Sequence, residues 1–172
     1  MSRGFVLPSQ ISPPIAAASA VLQVLSTAKL DTYSASGAFA DITGLTVTIT
    51  PASASNKILI LATINGQGGG AVLSGYKAKF AGGNSGTYIG AAAGTRERVA
   101  GVGPGGGGVA VNTGISLMYL DSPATTSAIT YSVQAKGMAT TDTVFINRSL
   151  DDTDGAPYFR SASSITVMEI SA

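Results

Sequence analysis

The chain has 172 residues, a formal net charge of +1, and neither cysteine nor histidine. That length suits one domain with a core of its own. The small net charge gives no field to hold a nucleic-acid backbone, so nucleic acid is not an expected partner. The missing residue types exclude disulfides, thiolate and imidazole metal ligands, and the commonest general base.

The composition is apolar for a free monomer. Charged residues make up 11% of the chain, against about 25% in typical soluble domains. Such a surface is hard to keep in solution, which predicts that part of it is buried between subunits. No apolar run reaches the length of a membrane span, so we expect no membrane partner.

Residues 1–19, MSRGFVLPSQISPPIAAAS, are predicted to form an extended arm. Pro8, Pro13 and Pro14 favour extended backbone and interrupt any signal-peptide core. The arm is too apolar for an idle tail, so we expect a partner to bind it. The residues assigned to that contact are Arg3, Phe5, Val6, Leu7, Ile11 and Ile15.

Residues 20–172 are predicted to form an all-β domain. The first segment, AVLQVLSTAKLDTY, fits either a helical face or a strand, and a strand is favoured. LTVTIT and ITYSVQAKG alternate apolar and polar residues. Further strand candidates are KILILATI, GYKAKF, TYIGAA, ISLMYL, TVFINRS and SSITVMEI, separated by QGGG, AGGNSG, GPGGGG, DSPATT and DDTDG. Roughly eight to ten short strands predict an antiparallel sandwich or barrel.

Three strand candidates, KILILATI, TVFI and ITVMEI, are apolar on both faces. A strand of this kind needs cover on both sides. In a sandwich of this size we expect the second cover to be another subunit; the alternative is that the arm or long loops fold back over the sheet. The predicted subunit-interface residues are Ile58, Ile60, Phe145, Val167, Met168 and Ile170.

The motifs that suggest chemistry are weak. GVGPGGGG, residues 101–108, lacks the lysine and hydroxyl residue of a phosphate-binding loop and is predicted to be a flexible surface loop. DDTDG, residues 151–155, does not fit the EF-hand pattern; it is predicted to be a polar turn, with a noncanonical calcium site as the alternative. The glycosylation sequon that begins at Asn147 is given no role, because we recognise no secretory signal.

The carboxylates do not suggest an active site. Glu97 and Glu169 are the only glutamates, and the aspartates cluster in turn segments, where turn chemistry explains them. The abundant serines and threonines have no histidine to activate them. We therefore expect no enzymatic activity, no cofactor and no metal.

Several segments resemble those of a known class of proteins. LTVTITPASASNKILI, LDSPATTSAITYSVQAKG, VFINRSLDD and SSITVMEI resemble small β-rich virion proteins and fibre-tip domains of tailed bacteriophages, including cyanophages. The resemblance spans about residues 20–172 as an ordered set of short motifs. It implies a jelly-roll sandwich that assembles as a homotrimer, with the C-terminal strand in the core sheet.

The resemblance leaves three hypotheses for function. A short arm in place of a long shaft favours a capsid decoration, or cement, protein of the virion, with the major capsid protein as partner. The second hypothesis is the receptor-binding tip of a tail or head fibre, in which Tyr158 and Phe159 would contact a host glycan. The third, a polysaccharide-degrading enzyme, requires a carboxylate pair that the sequence barely supplies.

Overall fold

The computed structural model describes residues 20–70, 75–105 and 111–172, and the predicted arm lies outside these ranges. The described residues form ten strands and one short 3₁₀ helix, Ser85–Thr87, and contain no α-helix. The strands are β1 Val21–Lys29, β2 Tyr33–Ser36, β3 Ala40–Ile49, β4 Lys57–Gly69, β5 Gly75–Ala81, β6 Gly101–Pro104, β7 Thr113–Asp121, β8 Ile129–Gly137, β9 Thr143–Ile146 and β10 Ser163–Ile170. No helix in this part of the chain has the length and apolar character needed to cross a membrane.

The strands pair antiparallel in two packed sheets. The six-stranded sheet has the order β1-β10-β4-β9-β2, with β7 on β4, and the four-stranded sheet has the order β3-β8-β5-β6. If β2 and β9 are left aside, the remaining eight strands can be renumbered 1 to 8 in chain order. One sheet then has the order 1-8-3-6, and the other has the order 2-7-4-5. This is the jelly-roll arrangement. The predicted all-β, antiparallel jelly-roll sandwich is confirmed.

The core follows from the alternation along the strands. In β4, Ile58, Ile60, Ala62 and Ile64 point inward and are buried, and Ile165 and Val167 of β10 do the same. The four-stranded sheet buries a matching inward set: Leu45, Val47, Ile49, Tyr76, Phe80, Tyr131 and Val133. Because side chains in a strand alternate between faces, each unbroken apolar run also sends apolar residues outward.

Residues 21–29 form strand β1, as favoured over the helix. Two other local predictions are wrong. TYIGAA is not a strand, because Tyr88 leaves the 3₁₀ helix and stacks on Tyr119, with ring centroids 5.2 Å apart. The start of GVGPGGGG is not a loop, because Gly101–Pro104 forms β6 and pairs with β5. A side chain at Gly103 would overlap the ring of Tyr76, so this strand needs glycine.

Candidate functional site

The outer face of the six-stranded sheet carries an apolar band. Val24 pairs with Met168, Met168 with Leu59, and Leu59 with Leu120. Residues paired in this way lie side by side on the same face of a sheet. One apolar row therefore crosses four neighbouring strands, β1, β10, β4 and β7.

The rows on either side extend the band and then end it. Val21 pairs with Ile170 in the row on one side, which also contains Lys57. Leu61 pairs with Met118 in the row on the other side, which also contains Ser26 and Thr166. The following row is polar or small throughout and consists of Ala28, Ser164, Thr63 and Ser116. The band is thus a bounded apolar surface, and one chain leaves it open: Val24 is 53% exposed, Leu120 44% and Met118 60%.

The outer face of the four-stranded sheet is polar. The hydroxyls of Thr48 and Thr130 lie 2.7 Å apart, and Ser132 Oγ donates to Asp41 Oδ1 over 2.9 Å. These groups pair with one another across strands and can also meet water. The sandwich therefore has one outer face suited to water and one suited to another apolar surface.

A charge cluster lies at one edge of that polar face. Glu97 bridges two lysines, with Oε2 at 2.7 Å from Lys77 Nζ and Oε1 at 3.1 Å from Lys136 Nζ. The hydrogen bond from Lys77, the largest contribution, holds the pKa of Glu97 below its ordinary value. Because this ionised carboxylate is paired with two ammonium groups, its role is structural.

The predicted subunit-interface residues separate into three groups. Ile58, Ile60 and Val167 are fully buried in the core of a single chain, so their assignment to an interface is wrong: the strand pleat turns them inward. Met168 and Ile170 lie on the apolar band. Phe145 faces outward from β9, but the Arg148 guanidinium covers its ring at 4.4 Å from the centroid.

Sequence reasoning missed most of the band. Val24, Leu59 and Leu120 were not selected, although each stands in an apolar run that was recognised as a strand candidate. The missing information was parity, that is, which alternate residues of a two-faced strand face the core. In β10 the sequence pattern points the wrong way, because Glu169 shares a face with Val167 and Ile165 and a glutamate ordinarily marks an exposed face, whereas all three are buried.

The second feature is an open cleft of about 350 Å³ beside the loop that precedes β10. Tyr158 and Phe159, the predicted glycan contacts, both line it. The remaining lining residues are Asp152, Thr153, Asp154, Gly155 and Arg160. Two aromatic side chains beside polar groups are an arrangement that can contact both the apolar face and the hydroxyls of a sugar ring.

Polar contacts hold the walls of the cleft. Asp152 forms ion pairs with Arg148, at 2.9 Å, and with Arg160. The hydrogen bond from Arg160, the largest contribution, lowers the pKa of Asp152. Asp151 Oδ1 accepts hydrogen bonds from both the N–H and the hydroxyl of Thr153, which confirms the predicted polar turn.

The residue just before this loop is a structural anchor. Asn147 is fully buried; its Nδ2 donates to the carbonyls of Lys29 and Asp31, and its Oδ1 accepts from Ser163 Oγ at 2.7 Å. Its φ of +61° lies in the left-handed region, which asparagine tolerates. The sequon asparagine is therefore committed to the fold and is not exposed to a glycosyl donor.

The described residues contain no group of three or more His, Cys, Asp or Glu side chains that could hold a metal ion. No protein-family model matches the chain, and no curated protein does. Among solved structures, a chain in the structure of infectious bursal disease virus, Gx strain, is similar over 99% of this chain, with 11% identity and a TM-score of 0.38. This chain spans 44% of the length of that one. A similarity this low supports no inference about function.

Proposed function

We propose that the protein is a structural component of a phage virion: a homotrimeric capsid decoration, or cement, protein that binds the major capsid protein and stabilises the head. The observation that carries the proposal is the apolar band, which makes a single copy an incomplete unit. Low charge content and the resemblance of residues 20–172 to phage virion proteins support it. Its binding energy comes from buried apolar area and multivalent docking, with no covalent step.

The arm is the proposed contact with the capsid. Residues 1–19 continue from Ala20, whose N–H donates to Ser171 Oγ at 2.8 Å and whose carbonyl accepts from the Ser171 N–H. The described part of the chain therefore begins at the end of the β1–β10 pair, beside Ser171. Its apolar residues Phe5, Val6, Leu7, Ile11 and Ile15, with Arg3, are proposed to lie on the capsid surface.

Deletion of residues 2–15 tests this function. We expect the truncated protein to lose binding to capsids prepared without it, as measured by co-sedimentation, and to keep the oligomeric state of the full chain. Gold-labelled antibody against the full protein should mark the head in electron micrographs of the virion. Undiminished capsid binding by the truncated protein, or label on the tail alone, would rule the proposal out.

The cleft favours a second candidate function, the receptor-binding tip of a fibre. In this alternative Tyr158 and Phe159 stack on a glycan of the host surface. The full protein would bind intact host cells and not sugar-stripped cells, and Phe159→Ala would weaken the binding. Tyr88→Ala is the matched control, because Tyr88 is 39% exposed, like Phe159 at 38%, and lines a different cleft.

A further inference from the structure

We propose that the apolar band on the outer face of the six-stranded sheet is the surface by which copies of this chain join one another. The inference rests on the proposed function and names the partner of this face. Its central row is Val24, Met168, Leu59 and Leu120.

The charge distribution favours a second copy as the occupant. Lys57, at the end of the band opposite Ile170, is the one charged residue among the outward positions of β1, β4, β7 and β10 that make the band and its polar border. If three copies turn this face toward a common axis, the same surface supplies both sides of every contact, and a surface with almost no charge brings no like charges together there. Copies can therefore pack these faces around the axis of the trimer with the lysine at the rim.

The extent of the band also fits a sheet better than a single chain segment. It spans about 19 Å across four strands and about 14 Å along them, and its eight apolar residues fill about 200 Å² of that rectangle. Stable interfaces combine an apolar core with a polar rim. The row of Ser164, Thr63 and Ser116 provides that rim on one side.

The arm is the competing occupant. Pro8, Pro13 and Pro14 divide its apolar residues into short groups, whereas the band has one apolar row across four strands and a pair of apolar residues in the row on each side. An extended chain covers one row, and the other rows of the band would stay open. A second sheet covers all of them at once, because stacked sheets interdigitate their facing side chains.

The test is the mass of the full protein in solution, measured by sedimentation equilibrium at micromolar concentration. We expect the wild type to be oligomeric, and the double variant Leu59→Lys with Met168→Lys to weaken association at least about tenfold. The matched control is Thr48→Lys with Thr130→Lys, which adds the same charge at paired positions of the polar face. The control is expected to associate like the wild type.

Should the first variant not fold, Val24→Lys with Leu120→Lys tests the same row at exposed side chains. Retention of the wild-type mass by the folded lysine variants would overturn the proposal, and so would a folded, monomeric wild type. If the full chain is monomeric and removal of residues 2–15 makes it associate, the arm is the occupant and the proposal fails. Capsid binding is a separate measurement, so a protein that joins through this face but does not coat heads refutes the proposed function alone.

Discussion

Glu169 is a carboxylate inside the sandwich, and its hydrogen bonds explain why it is tolerated there. Oε1 accepts from the N–H of Ala52 at 2.7 Å and from Asn56 Nδ2 at 2.6 Å, and Oε2 accepts from Gln23 Nε2 at 2.6 Å. Desolvation, the largest single effect, raises its pKa, but the hydrogen bonds from Asn56, Gln23 and the backbone together lower it below the ordinary value. The residue ties the turn before β4 to strands β1 and β10.

We predict that Glu169→Gln lowers the free energy of unfolding by about 2 kcal/mol at neutral pH, because the new amide must point a donor at another donor. A lowered folded-state pKa means that the carboxylate stabilises the fold above the unfolded value, about 4.3, and that this contribution is lost as the pH falls. The difference in the free energy of unfolding between wild type and variant should therefore become smaller as the pH falls into the acid range. Urea unfolding across the acid range measures this difference, with Asp154→Asn, at an exposed residue, as the control. A difference that does not change with pH would contradict the stabilising role of the Glu169 carboxylate.

Tyr76 joins the two sheets through its hydroxyl. The side chain is buried, and the carbonyls of Ile64 and Thr113, each 2.9 Å from the hydroxyl oxygen, share its single O–H donor. Burial raises the pKa of Tyr76 well above its ordinary value. The phenol is therefore held neutral in the folded chain.

We predict that Tyr76→Phe lowers the free energy of unfolding by about 1 kcal/mol at neutral pH, because the buried carbonyl of Ile64 and the partly buried carbonyl of Thr113 lose the donor that they share. A raised folded-state pKa gives a contribution that is complete below about pH 10 and is lost as the pH rises further. The wild type should thus lose more stability in alkali than the variant does. Urea unfolding at neutral and alkaline pH measures this difference, with Tyr88→Phe as the control. If Tyr88→Phe and Tyr76→Phe lose the same free energy of unfolding in alkali, the prediction is refuted.

At the scale of the elements, β4 and β5 approach so closely that only glycine fits between them. A Cβ at Gly68 would overlap the backbone carbonyl of Gly75, which cannot move aside as a side chain can. We predict that Gly68→Ala lowers the free energy of unfolding by about 3 kcal/mol. Gly90→Ala, which meets nothing within 4 Å, is the matched control and should change stability by no more than about 0.5 kcal/mol. Equal melting temperatures for the two variants would contradict this packing.

The alternation of side chains predicted the strands well and the exposed surface poorly. LTVTIT and ITYSVQAKG gave β3 and β8 because only one of their faces is apolar. KILILATI is apolar on both faces, so its local pattern could not distinguish Ile58 in the core from Leu59 on the band. Strand β6 was missed for a related reason, since Gly101 and Gly103 are placed by contact with Leu117 and Tyr76 and not by local preference.

For the cleft, the sequence identified the aromatic residues and only part of the network that holds them. Tyr158 and Phe159 were selected as an aromatic pair next to a polar turn, and both line the cleft. The ion pairs of Asp152 with Arg148 and Arg160 depend on the bridge between residues 148 and 160, which closes the loop. Arg148 and Asp152 are only four residues apart, but Arg160 reaches Asp152 because of this bridge, and the bridge has no local signal in the sequence.

At the scale of the whole molecule, one outer face is suited to contact with water and the other to contact with an apolar surface. One is built of hydroxyl pairs and a bridged glutamate, and the other of Val24, Met168, Leu59 and Leu120. The low content of charged residues, 11%, therefore corresponds to a particular surface, the apolar outer face of the six-stranded sheet. If the apolar face is buried in an oligomer, folding and association are linked, and stability depends on protein concentration.

We accordingly predict that the melting temperature of the wild type rises by about 5 °C over a hundredfold increase in protein concentration, because mass action favours the oligomer over unfolded chains. The variant Leu59→Lys with Met168→Lys should melt at a temperature independent of concentration. Thr48→Lys with Thr130→Lys should behave like the wild type, since its added charges face water. Scanning calorimetry at several concentrations measures all three proteins. A wild-type transition that does not move with concentration would mean that a single chain is stable with its apolar face in water, and the composition would then need another explanation.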